Sequence, residues 1–205
     1  MTTGPTTEEI TCKAILLGDS GIGKTCIIKR LCENAYNALS TSTIGASAKT
    51  KIICYSNTQR IKLQVWDTAG QECYRSLNKI FYRDAKIVIL VYDITIRKSF
   101  EELKHYWYRQ VETTCEKDPI IGIAGNKCDR YVEEQVSESE VKEFAEKIGA
   151  IFKYTSAFSG DGIIELFKEL GAKALNIPLV NPNKTNILTI EPKEQKKHRN
   201  LQKTQ

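Results

Sequence analysis

An α/β fold, with a mostly parallel six-stranded sheet, one antiparallel edge strand and helices on both faces, follows from three features of the chain. Strand-like and helix-like segments alternate from residue 10 to residue 176, the pattern of a parallel sheet wound through crossover helices. Residues 86–92 and 120–124 are apolar on both faces, as strands covered by helices on each side must be. Residues 48–55 and 61–66 flank Ser56, Asn57 and Thr58, a hairpin signal that supplies the antiparallel edge.

Each element has its own warrant. Residues 12–17 are a short apolar run ending at Gly18, suited to a buried strand, and residues 25–31 have the composition of a helix. Between the strands at 86–92 and 120–124, Phe100, Leu103, Trp107 and Val111 recur at helical spacing. A further helix carries Val141, Phe144, Ala145 and Ile148, a strand occupies 151–154, and Ile163, Leu166, Phe167 and Leu170 mark a closing helix. These aromatic and aliphatic stripes are core. After Asn176 the pattern stops, with Pro178, Pro182 and Pro192 breaking regular structure and Lys193, Lys196, Lys197, Arg199 and Lys203 making the end basic. The expected organisation is a flexible arm over 1–9, one domain over 10–176 and a disordered basic tail over 177–205.

Composition excludes several classes. A chain of 205 residues with 41% hydrophobic and 27% charged residues can bury a core without disulfides or structural metal. The net charge of +5 is too mild to indicate a nucleic-acid partner. The seven cysteines are odd in number, include no C-x-x-C pair and lie partly in apolar runs, as in a reduced, intracellular chain. His105 and His198 are too far apart to found a zinc site or a Ser-His triad, and both are expected at the surface. The first nine residues are polar rather than basic then apolar, Thr2 stands where myristoylation needs glycine, and the aliphatic run 87–91 is too short to span a membrane. A cytoplasmic location is expected.

Three motifs carry chemistry. Gly18 to Thr25 reads G-x-x-x-x-G-K-[ST] between a predicted strand and a predicted helix, the context of a phosphate-binding P-loop. There the amides of Ser20, Gly21, Ile22, Gly23, Lys24, Thr25 and Cys26 can face phosphate, Lys24 can neutralise it, and Thr25 offers a hydroxyl to magnesium. Trp66 Asp67 Thr68 Ala69 Gly70 Gln71 follows a strand, so Asp67 can reach a magnesium-bound water at the sheet's carboxyl end. The backbone of Gly70 can approach a terminal phosphate, and Gln71 can both donate to and accept from an attacking water. Asn126 Lys127 Cys128 Asp129 follows another strand, where the Asp129 carboxylate can accept from guanine N1–H and its exocyclic amino group, an arrangement adenine lacks.

Together and in this order, these motifs resemble those of the Ras-like small GTPases, over about residues 10–176. The segments Asp19 Ser20, Lys62 to Asp67 and Leu90 to Thr95 are similar to the Rab branch in particular. The resemblance implies a P-loop NTPase small G domain that binds GTP or GDP with Mg2+ and hydrolyses GTP to GDP and phosphate. It implies Thr43 as a magnesium ligand that senses the γ-phosphate, alongside Thr25 and Asp67, with Lys24, Thr43 and Gln71 catalytic. It implies Tyr36 as an aromatic neighbour of the base, and Ser156, Ala157 and Phe158 as the last guanine loop, with Asn126, Lys127 and Asp129 beside them. It further implies effectors, a GTPase-activating protein, an exchange factor, a role in vesicle trafficking and a peripheral endomembrane location.

The chain also departs from the pattern. Phe158 stands where the family often has lysine, which alters packing over the base. Ala48 stands where Rab proteins usually carry an aromatic that packs near Trp66 and Phe81, which alters the effector surface. No cysteine follows Cys128, so the prenylation that anchors Rab proteins is not expected, and a basic end alone gives only weak, salt-sensitive membrane attraction. Two rival readings stay open at this point: a nucleotide-bound interaction module with negligible turnover, and a P-loop kinase or ATPase using adenine, which Asp129 disfavours.

Overall fold

The computed structural model describes residues 8–37, 46–56, 58–68 and 79–178. Along these the chain forms β1 (Glu8–Leu17), α1 (Lys24–Glu33), β2 (Ala46–Cys54), β3 (Gln59–Thr68), a short α2 (Lys79–Tyr82) and β4 (Ala85–Asp93). It continues through α3 (Arg97–Glu102), a π-helical turn (Leu103–Trp107), α4 (Tyr108–Thr114), β5 (Ile120–Asn126) and a 3-10 segment (Cys128–Glu133). It ends with α5 (Glu138–Lys147), β6 (Ile151–Thr155) and α6 (Ile163–Ala174). The sheet order is β2-β3-β1-β4-β5-β6. Every neighbouring pair is parallel except β2 with β3, so the α/β sheet with one antiparallel edge is the fold the sequence predicts.

Period-two alternation divides the core. From β1, Cys12, Ala14 and Leu16 face one side, where Ile27, Ile28 and Leu31 of α1 meet Leu166, Phe167 and Leu170 of α6. Ile15 and Leu17 face the other side, with Phe100, Leu103, Trp107 and Val111 and with Val141 and Ala145 of α5. β4 alternates likewise, Ile87, Ile89 and Val91 one way and Val88, Leu90 and Tyr92 the other. Both faces are therefore dry, and the backbone polarity exposed at the carboxyl ends of the strands is left to the loops.

Most elements run a residue or more beyond or short of the expected ranges, and four differences bear on the architecture. β1 begins at Glu8, so Glu8 and Glu9, expected in the flexible arm, pair with Gln59 and Arg60 of β3. The ladder extends the strand beyond its apolar stretch. β5 continues past Ala124 to Asn126, in register with Thr155 of β6. The helix carrying Phe100 to Val111 is not uniform, because five residues form a π turn; the 3, 4, 4 spacing of its apolar residues fits either geometry. α2 is only four residues long, too short to leave a periodic signal. The remainder of the arm, residues 1–7, and the tail from 179 onward lie outside the described residues.

Candidate functional site

The phosphate loop grows directly from β1. Gly18 and Gly23 hold φ of 144° and 100°, backbone conformations that side chains rarely adopt. A Cβ at Gly18 would also meet the Val91 carbonyl at 2.3 Å, and one at Gly23 the Asn126 amide nitrogen at 2.4 Å. Sequence thus fixes both the turn and how closely two other strand ends approach it. Ser20, Gly21 and Ile22 complete the loop, and Lys24, Thr25 and Cys26 form the first turn of α1.

Lys24 is 6% exposed, and its Nζ donates to the carbonyls of Gly18 and Asp19, both at 2.8 Å. Burial pushes its pKa down to about 8, opposed by the nearby Asp67 and Asp19 carboxylates. Thr25 donates from Oγ1 to Asp67 Oδ2 at 2.8 Å, which joins the start of α1 to the end of β3. A hydroxyl beside a buried carboxylate is a hard oxygen donor pair, and these residues fit Mg2+.

The other end of the site is built by β5 and β6. Asn126 is 1% exposed and donates from Nδ2 to the Ile22 carbonyl at 2.7 Å. Lys127, at a positive φ of 66°, donates from Nζ to the Gly21 carbonyl at 3.1 Å and pairs with Asp93 Oδ2 at 2.6 Å. The guanine motif is thus fastened onto the phosphate loop itself. Asp129 accepts a hydrogen bond from Ser156 Oγ at 2.5 Å, which aims an otherwise exposed carboxylate. Arg30 of α1 donates to the carbonyls of Ala157 and Phe158, at 3.0 and 2.6 Å. Tyr36, beyond the end of α1, meets the Phe158 ring edge to face at 5.4 Å between centroids.

The structure therefore brings together Ser20 through Cys26, Tyr36, Asp67, Asn126, Lys127, Asp129, Ser156, Ala157 and Phe158. Thr43, Gly70 and Gln71 lie outside the described residues. Three contributors escaped the sequence reading. Asp93 is fully buried at the end of β4 and receives Thr95 through both its amide and its hydroxyl, at 2.9 and 2.7 Å. Trp107, assigned to core alone, donates from Nε1 to Asp19 Oδ1 in the phosphate loop at 2.9 Å. Arg30 is the third. An acid closing an apolar strand was the available signal for Asp93; for Arg30 and Trp107 no local signal exists, since their partners are remote in sequence.

On the β2–β3 hairpin, Ala48 is exposed and stands opposite Trp66 in the strand register. Trp66 keeps a tilted contact with Phe81 at 6.2 Å between ring centroids. None of the six cysteines among the described residues is in a disulfide, and no helix among them is long and apolar enough to cross a membrane.

A P-loop at the carboxyl end of a mostly parallel sheet, with an acid-bearing guanine motif fastened to it, defines the small G-domain class. Comparison with known proteins agrees: the Ras family model matches residues 13–176. The Ras-related protein SEC4 of Candida albicans is 41% identical over 160 residues, 78% of this chain and 75% of that protein. Rab-8A of Gallus gallus is 44% identical over 155 residues, 76% of this chain and 74% of its own length. Rab-22A of Canis lupus familiaris is 40% identical over 171 residues, 83% and 86% of the two chains. The chain belongs to the Ras family, as a small GTPase of Rab-like type, and hydrolyses GTP to GDP and phosphate.

Proposed function

We propose that this chain is a guanine-nucleotide switch of membrane traffic in which the residues named above hold one GTP or GDP. The observation that carries this reading is the pair of hydrogen bonds from Asn126 and Lys127 to the carbonyls of Ile22 and Gly21. They join the loop assigned to the base and the loop assigned to the phosphates into one site, as a ligand that carries both a purine and phosphates requires.

The loop amides of residues 20–26 and the Lys24 ammonium take the phosphates, moving Lys24 from carbonyl partners to phosphate oxygens. Asp129 selects guanine, Ala157 N–H meets guanine O6, and Tyr36 and Phe158 border the base. Thr25 and Thr43 would hold Mg2+ directly, with Asp67 reaching it through water. When bound, the ion offsets charge on the β- and γ-phosphates. Gln71 orients water for in-line attack on the γ-phosphate, and Thr43 and Gly70 sense that phosphate, so their two loops relax after hydrolysis. No described residue supplies an arginine finger, and the intrinsic rate is on the order of 10⁻⁴ to 10⁻² per second, as for Ras and Gα. An activating protein speeds the reaction, an exchange factor releases GDP, and effectors read the switch loops, with the chain in the cytoplasm and peripheral on endomembranes.

The test is displacement of a fluorescent GDP analogue in the presence of Mg2+. GTP displaces it and ATP does not; Asp129→Asn weakens GDP binding and gains xanthosine diphosphate binding. Equal displacement by ATP and GTP overturns the guanine assignment.

A further inference from the structure

The rim formed where β4 and β5 end is apolar although it faces water. Ile96, after β4, is 46% exposed, and Tyr131 and Val132, in the 3-10 segment after β5, are 71% and 83% exposed. The two loops are fastened together: the Gln135 amide donates to the Ile94 carbonyl at 2.8 Å, and the Arg97 amide donates to Gln135 Oε1 at 3.1 Å. Three large apolar side chains therefore stand on one braced rim. None of them serves the nucleotide site, and a grouping of this kind marks a surface that meets something else.

Charge surrounds this patch unevenly. Glu133 pairs with Arg130, Glu138 with Lys142 at 2.8 Å, and Glu140 with Arg97. Glu134 has no cation among the described residues; it accepts the Tyr154 hydroxyl at 2.6 Å, a neutral donor that leaves its full charge at the surface. With Glu143 and Glu146 added, the segment 130–146 is acidic, and Arg97 and Lys98 across the rim offset only part of it. The rim thus asks for an occupant that is apolar and basic. A second copy of the chain is a poor one, because it sets acid against acid and three side chains fall far below the roughly 800 Å² per partner of a stable interface.

We propose that this rim is the docking surface for the chain's own tail, residues 187–199. Ile187, Leu188 and Ile190 form an apolar cluster there, and Lys193, Lys196, Lys197 and Arg199 follow it, against only Glu191 and Glu194. The apolar cluster meets Ile96, Tyr131 and Val132, and the cations meet Glu133, Glu134 and Glu138. The length of chain allows it. α6 delivers the chain to the amino ends of the strands, where Leu175 lines a small cavity with Ile10 and Gln59, and the rim stands at the carboxyl ends. The seven residues of β5 span roughly 23 Å, whereas the twelve from Pro178 to Ile190 extend to roughly 40 Å. Tethering raises the local concentration of the segment to the millimolar range, so a weak contact suffices. Docking does not depend on which purine the site binds.

The experiment is zero-length cross-linking of the full chain at low micromolar concentration with a carbodiimide, which joins lysine amines to carboxylates in contact, followed by peptide mass spectrometry of the monomer band. Lys193, Lys196 or Lys197 is expected to link to Glu133, Glu134 or Glu138. The yield of these links is expected to fall about fivefold or more in Tyr131→Ser/Val132→Ser, in Ile187→Ser/Leu188→Ser/Ile190→Ser, and in wild type at high salt, with folding checked by circular dichroism. The tail variant keeps every lysine and changes no described residue, so it separates the apolar contact from the fold. Tail links spread over acids elsewhere, such as Glu8, Glu116 or Glu165, overturn the proposal, as does a tail that forms no links. Links found only between two chains overturn it in favour of a second copy, and yields within about twofold of wild type in both variants overturn the apolar rim as the docking site.

Discussion

Asp93 shows how a single buried side chain can brace the site through its neighbours. It is fully buried, with one oxygen occupied by Thr95 and the other paired with Lys127, whose ammonium also reaches the Gly21 carbonyl. A buried carboxylate is tolerated only when its partners are this complete. Asp93→Asn removes the negative charge that faces the Lys127 ammonium and turns one oxygen into an NH2 group that meets a donor, Lys127 or Thr95, on either side. The expected cost is roughly 1 to 3 kcal/mol of stability, with faster GDP release but unchanged preference for GTP over ATP. Chemical denaturation and fluorescent-nucleotide release measure the two effects, and loss of base preference would instead implicate Asp93 in reading the purine. The residues that face ligand in this reading were legible as motifs, because glycine, lysine and carboxylate at fixed spacing carry their chemistry locally. Asp93, Arg30 and Trp107 were not, because each acts on a partner that only the fold brings near.

At the scale of elements, the π turn between α3 and α4 explains what periodicity could not. Widened turns of this kind are uncommon and cluster at functional sites, and this one carries Trp107, whose ring packs in the core while its N–H holds Asp19 of the phosphate loop. That hydrogen bond engages the one carboxylate in the loop meant to receive phosphate. Trp107→Phe retains most of the packing but leaves Asp19 without this donor, and it is expected to destabilise the fold by about 1 to 2 kcal/mol and to quicken GDP release. With Trp66→Phe, Trp107 becomes the sole tryptophan, so its emission should shift when EDTA strips the nucleotide. Unchanged emission would disconnect this helix from the site.

A second inter-element contact makes a pH prediction. Arg97 at the start of α3 pairs in bidentate fashion with Glu140 of α5, at 2.5 and 2.6 Å, and Lys104 adds a contact at 3.2 Å. Hydrogen bonding from Arg97 chiefly holds the Glu140 carboxyl below its ordinary range, against a smaller effect of burial. A depressed carboxylate pKa stabilises the fold above the unfolded value, near 4.3, and this stability is lost as pH falls through the folded value. Glu140→Gln should therefore lower the melting temperature modestly at pH 7 and by progressively less toward pH 3. An undiminished difference at pH 3 would exclude the ion pair as its source.

For the molecule as a whole, the fold was the most legible feature. Strands wrapped by helices on both faces must be apolar throughout, and β1, β4 and β5 declare themselves in that way. The strand ends were less legible, because ladder hydrogen bonds carry Glu8 and Asn126 into the sheet without any apolar signal. The β2–β3 hairpin joins sequence to architecture differently: Ala48 stands opposite Trp66 without adding a ring to the Trp66–Phe81 contact.

The two hydrogen bonds from Asn126 and Lys127 to the phosphate loop have a consequence for fragments of the nucleotide. If the halves of the pocket are braced together, the covalent tether between purine and phosphates lets each half raise the effective concentration of the other. Guanosine and pyrophosphate mixed in solution should then fail to dislodge fluorescent GDP even at roughly a thousandfold excess over the GDP that suffices. Competition titration measures this, and efficient displacement by the mixture would mean that the two halves bind independently. A switch wired in this manner responds to the intact nucleotide and ignores its debris.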